Sequence, residues 1–255
     1  MKALLHAINS EVLKLKRTLT FWLILAVPGV VVAMQFSSAL ARTRPFHPEP
    51  DPWQWVTQGV FFIWCLLALP LLVTLETALL SATEHAGQQW KHLFTLPVPR
   101  WTIYSAKLVV ALGLIGLSSL MLWLLLLLDG RILTWLRPEM GLVGLPWLPI
   151  LRQVALIFLA AWLIIAIHTW IGLRWPSFAV ASGVGIGATI AGLILGISSG
   201  ASTAVPWTNF YPWLQPVLIL ARDRQPLPTT LGFSIVGAII VGIVGCWEVT
   251  RRDVL

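Results

Sequence analysis

The chain has 255 residues, 58% of them hydrophobic and only 11% charged, with a formal charge of +7. A soluble domain carries roughly 25% charged residues, so this composition excludes one and defines an integral membrane protein. The Lys and Arg residues are scattered rather than striped, which argues against nucleic acid and fits basic loops on one side of a bilayer. Cys65 and Cys246 fall inside apolar runs and read as small buried hydrophobes, not a disulfide.

In chain order, residues 3–18 place Leu5, Ile8, Val12, Leu15 and Leu19 on one helical face, with His6, Ser10, Lys14 and Arg17 opposite. This predicts a basic amphipathic helix in the headgroup plane. A first span follows, roughly 20–40. Ala39-Leu40-Ala41 looks like a signal-peptidase site, but the long amphipathic lead favours an uncleaved span. The Pro-rich stretch 42–55 predicts a stiff extended loop. The second span is about 56–80, with a kink at Pro70 and Glu76 near its far end, and the third is about 103–128, with Lys107 at its start. Residues 129–150 form a Trp- and Pro-containing connection, and the fourth span, about 154–173, carries His168. In the fifth, about 178–197, Gly183, Gly187, Gly192 and Gly196 predict a smooth packing ridge, within the subunit or between subunits. Residues 201–230 hold a short apolar piece, 210–221. It is too short to span and is expected to be re-entrant or interfacial. The sixth span is about 231–247.

The expected fold is therefore all-α: one transmembrane domain, 1–255, of six transmembrane helices with an interfacial helix over 1–18. With the N-terminus inside, all five lysines (Lys2, Lys14, Lys16, Lys91 and Lys107) fall on the cytoplasmic side, as does the C-terminus. Most loop Trp residues (Trp53, Trp55, Trp135, Trp147, Trp207, Trp213) fall on the other side, as an aromatic belt would.

Chemistry is sparse. No GxxxxGK[ST], HExxH or CxxC occurs, so phosphate-cradling, metalloprotease and thiol-redox readings lack their parts, and no catalytic or metal-ligating residue is assigned. Glu76, His168 and Lys107 are the candidate intramembrane polar residues, because such groups are costly in lipid. Glu76 pairs with His168 or with Lys107 as a gate, or else sits at the interface while His168 bonds a neighbouring helix. The polar stretch 81–96 says more. Ser81 with Glu84 has the pattern of a capping box, predicting a fresh helix from about Ala82. That helix carries Glu84, His85, Gln88, Gln89, Trp90, Lys91 and His92 before Leu96-Pro97-Val98-Pro99 breaks it. A short polar helix with a central Trp suits docking, the Trp as anchor and the charges as guides.

The ordered set Glu84…Trp90-Lys91…Leu96-Pro97-Val98-Pro99-Arg100…Tyr104…Lys107 resembles the signature of ABC type-2 exporter permeases. It looks closest to the small permeases of bacitracin and lantibiotic self-protection transporters. Glu11-x-x-Lys14-x-Lys16-Arg17 is similar to their N-terminal elbow helix, and Phe210-Tyr211-Pro212-Trp213 to their outer segment between spans five and six. The resemblance implies a bacterial cytoplasmic membrane protein that is not itself an enzyme. It implies a second permease subunit, identical or paralogous, and a separate P-loop ATPase that holds ATP and Mg²⁺, with no cofactor in this chain. It also implies that 84–92 is the coupling helix seated on that ATPase, and that the cargo is amphipathic, such as a peptide antibiotic or lipid-linked compound. The rival reading is a membrane-embedded enzyme acting on a lipid or isoprenoid. It requires at least two of Glu76, Glu84, His85 and His168 in one cavity.

Overall fold

A computed structural model describes residues 2–15, 18–42, 52–85, 99–175, 177–198, 206–221 and 225–251, and these form an all-helical bundle. Among the described residues five helices are long and apolar enough to cross a bilayer, or six where the bent helix pair is counted as one span. Helix α1 (Lys2–Leu15) precedes the first span, α2 (Thr20–Ala41). The second span is α3 (Pro52–Ile63), a π turn (Trp64–Ala68) and α4 (Leu69–His85). The third is α5 (Arg100–Leu136), and the fourth is the pair α6 (Trp147–Ala160) and α7 (Trp162–Arg174), bent by 40°. The fifth is α8 (Phe178–Ser198). Two 3₁₀ turns and the short α9 (Gln215–Leu218) lead to the sixth, α10 (Leu227–Arg251).

Where proline interrupts a span, another group repairs the backbone. Pro28 lies inside α2 and brings no N–H to the Ile24 carbonyl. The Ser118 hydroxyl of α5 donates to that oxygen instead, at 3.1 Å. The distortion expected at Pro70 is the π turn just before it. Leu69 N–H reaches back to Trp64 O, widening the turn that a proline cannot close in α form.

Several boundaries move. Residues 52–55, expected in an extended loop, form the first turn of α3, because Pro52 opens a helix without needing its missing N–H. The third helix runs 37 residues, about 55 Å at 1.5 Å per residue, and outreaches the roughly 30 Å hydrocarbon core. Asp129, expected in a connection, is therefore buried inside α5. Its far end is stapled to the first span: Arg137 donates to Leu40 O (2.9 Å) and Arg42 O (2.6 Å), filling acceptors that a helix end leaves open. The turn beyond it uses positive φ at Gly141 (66°) and Gly144 (70°).

The segment between spans five and six folds inward among the helices. Trp213, Leu214, Gln215, Leu218 and Ile219 are buried, and Tyr211 Oη donates to Ala188 O at 2.8 Å. Two of the supposed belt tryptophans thus lie inside. Trp213 packs in the bundle, and Trp53 lies across Gly130 with its Nε1 on Val143 O at 3.3 Å; Trp135, Trp147 and Trp207 are exposed. On α8, Gly192 faces Tyr211 and Trp213, and Gly196 faces Leu214 and Leu66, whereas nothing lies within 4 Å of a side chain placed at Gly183 or Gly187. The tightest approach is at Gly185, which the i, i+4 ridge omits: a Cβ there would lie 2.2 Å from Thr74 Oγ1 and 2.6 Å from His168 Cε1.

Gly185→Ala should therefore destabilise the bundle by about 1–3 kcal/mol through overpacking, while Gly187→Ala should be neutral or slightly stabilising, as alanine favours helix. Thermal melts of the two variants in the same detergent, showing a drop for the first only, check this.

Candidate functional site

The end of the bundle that carries α1 gathers the polar groups of interest. On α1, Ile8 and Leu15 pack on the core and Glu11 is buried, while Leu5, Val12 and Leu13 are exposed, as is Leu19 just before α2. The expected apolar stripe is thus shared between two surroundings: one flank packs on α5, and the other is left for lipid. Glu11 lies on the protein-facing edge and meets Lys107, near the start of α5. Lys107 Nζ donates to Glu11 Oε2 at 2.8 Å and to Leu80 O, near the end of α4, at 3.0 Å. Lys14 Nζ binds the other carboxylate oxygen at 2.6 Å. Lys107 is only 1% exposed and Glu11 5%.

This arrangement rules out the pairing alternative for Glu76, and His168 contacts a neighbouring helix as the other alternative had it. The Glu76 carboxyl is fully buried near Thr20 and makes no hydrogen bond among the described residues, so it pairs with neither Lys107 nor His168. Lys107 is turned toward α1, an element that span-by-span reading leaves at the membrane surface. The missed signal is Glu11 itself, an acid flanked by Ile8 and Leu15 on an otherwise apolar face, which needs a buried cation.

His168 is buried where four elements meet. Its Nε2 lies 3.4 Å from Thr74 Oγ1, and the Thr74 hydroxyl donates to Pro70 O at 2.8 Å. Its ring meets Trp213 edge-on at 5.5 Å between centroids and touches Gly185. His168 therefore ties the fourth span to the second span just after the π turn, to the fifth and to the inward-folded segment. Between the fourth and sixth spans, Glu248 accepts from Trp170 Nε1 at 2.7 Å and pairs with Arg174, whose guanidinium stacks on Trp170 and Trp175.

Of the docking stretch, Glu84 and His85 belong to the last turn of α4, while Gln88, Gln89, Trp90, Lys91 and His92 lie outside the described residues. No fresh helix begins at Ala82. The second-span helix continues through it, and the Ser81 hydroxyl donates back to Thr77 O at 3.0 Å instead of capping.

Among the described residues, cavities line the spans. One, of about 390 Å³, is walled by Leu108, Leu112, Trp162, Ala238, Ile239 and Ile243, with Ser105 and Cys246 at one end. The other, of about 540 Å³, combines Gln54, Gln58 and Gln153 with Trp53, Phe61 and Ile219. Neither contains Glu76 or His168, and no metal-binding cluster occurs among the described residues.

The helices and their apolar spans define an all-α multi-pass membrane protein. The sequence pattern of the ABC-2 family transporter proteins matches residues 7–192, so the chain belongs to that family and is a permease subunit of an ABC transporter. No curated protein matches the chain.

Burial pushes the Glu11 carboxyl up, but the Lys107 and Lys14 ammonium groups beside it pull it down further, below the ordinary value of 4.5. A value depressed in the folded protein gives stabilisation that is complete above the unfolded value and lost as pH falls through the folded one. Docking of α1 should thus be unchanged from pH 5 to 8 and loosen only in acid below 4.5. Hydrogen exchange at the α1 amides across that range checks this.

Proposed function

We propose that the chain is the membrane half of an exporter of the bacitracin and lantibiotic self-protection type, in the bacterial cytoplasmic membrane, with both termini cytoplasmic. In this reading two permease subunits, identical or paralogous, work with P-loop ATPases that hold ATP and Mg²⁺. Residues 84–92 carry the coupling contact, starting from the last turn of α4, with Trp90 as anchor and Glu84, Lys91 and the two histidines orienting it. ATP binding draws the ATPases together, this segment follows, and the spans rock to release an amphipathic cargo outward. A peptide antibiotic or a lipid-linked compound matches the cavity that sets glutamines beside aromatic and aliphatic walls.

The observation that carries this reading is the shared end of the bundle. Lys107 brings α1, the end of α4 and the start of α5 together, while Tyr104, Leu173 and Val249 pack the third, fourth and sixth spans there. The docking stretch is thus tethered at both sides to one face, the face that also carries Lys14, Arg174 and Arg251. Cytoplasmic placement of that face follows the positive-inside rule.

The complete chain should co-purify with a P-loop ATPase. Trp90→Ala or Glu84→Ala should weaken that association by about thirtyfold, the roughly 2 kcal/mol typical of an interface hot spot, and should abolish transport while insertion stays normal. A chain that binds no such ATPase, or two variants that bind it as the unsubstituted chain does, removes the coupling role.

A further inference from the structure

The clamp on Lys107 joins elements that a coupling helix has to move. Residues 86–98 leave α4 and return to α5, so the two roots of the docking stretch are the end of α4, with Leu80, and the start of α5, with Lys107. A single ammonium group binds the carbonyl at one root, is carried by the other, and pairs with a carboxylate on α1. All three partners are buried or packed against buried neighbours.

A buried ion pair is a poor device for stability, because desolvating both ions offsets their attraction and an apolar pair of like size often serves as well. What it supplies is direction and register. Ile8 and Leu15 alone would hold α1 through non-directional contacts, along which a helix can slide or turn. Glu11 binds Lys107 of α5 through one oxygen, while Lys14 of its own helix holds the other in place, so one directional contact crosses from α1 to α5 and sets the register between them.

We propose that Glu11 and Lys107 are positioning residues for coupling: their ion pair locks α1 to both roots of the docking stretch, so the three move as one lever. This rests on the coupling role of residues 84–92. In the lever, the amphipathic helix takes its footing from the membrane surface through Leu5, Val12 and Leu13, and the ATPase drives the other end. A displacement of the docking stretch then reaches the second and third spans as a tilt instead of being absorbed in the connecting residues.

The test uses the whole permease–ATPase complex in lipid nanodiscs, with Cys65 and Cys246 replaced by Ala. In E11C/K107C the pair is gone, and the ATP hydrolysis that the permease adds over the isolated ATPase should fall by about tenfold, within the usual range of coupling between sites. Bridging the two thiols with a short bis-methanethiosulfonate should restore it, and reductant should remove it again. Full activity without the bridge, or no recovery with it, overturns the proposal. Should that variant fail to assemble, spin labels at S10C and W101C decide in the otherwise unchanged clamp. Their separation should be the same in nucleotide-free and ATP-trapped complexes, and a nucleotide-dependent shift overturns the lever. Failure of the unsubstituted chain to bind any ATPase would remove the function itself, whereas an assembled complex indifferent to E11C/K107C removes only this inference.

Discussion

A backbone carbonyl freed inside a bilayer has no water to turn to, and this constraint governs the bundle more than any single contact does. Each interruption of a span is matched by a named donor. Ser118 answers the carbonyl that Pro28 leaves open, the Leu69 amide answers Trp64 across the π turn, and the Ala161 amide is shared between Ile157 and Phe158 at the break in the fourth span. Tyr211 and Arg137 do the same for Ala188 and for the end of the first span. Most of these donors sit on a different element from the acceptor. Repairing the backbone is therefore also what holds the first span to the third and the inward-folded segment to the fifth.

The same reasoning separates the buried charges. Lys107 is surrounded by a carboxylate and a carbonyl, an arrangement that offsets its desolvation. Glu76 and Asp129 make no hydrogen bond among the described residues. Their burial comes with packing rather than pairing: Glu76 against the start of the first span, Asp129 in a helix that continues past the expected end of its span. The two kinds of site differ in their neighbours, not in residue type, and so composition cannot tell them apart.

This explains what the amino-acid order revealed and what it hid. The number of crossings and the all-helical class follow from the length of apolar runs, a one-dimensional property that survives folding. Gly192 and Gly196 share the spacing of Gly183 and Gly187, yet only the first two meet neighbours, because the partner element, 206–221, ends its inward turn at their level. Gly185 is off the ridge and nevertheless has the closest contacts, since what presses on it is the bulk of Thr74 and His168 from two other spans. Ser81 and Glu84 satisfy the letter of a capping box, but a helix already under way outcompetes a new start, as nucleation is costly and elongation is not. Glu11 was hidden for the opposite reason. Its partner stands 96 residues away on an element whose orientation no wheel of α1 can supply.

The distribution of these joints gives the bundle a stiff side and a compliant one. The first and third spans are tied near the middle by Ser118 and at the far end by Arg137, and the ion pair fixes the near end of the third to α1. Together they form a post. The second and fourth spans are interrupted, one by the π turn and the other by the break at Ala161. Both interruptions lie toward the far face from His168 and Thr74, where those two spans meet. Single π turns and broken helices relax more readily than continuous helix, because their hydrogen bonds are already off the regular ladder. Under the proposed coupling, a push delivered at the α1 end would meet a continuous post and two jointed helices. The described inward-folded segment packs Trp213 against His168, where the two jointed spans meet, so under that coupling it lies where their yielding would be felt.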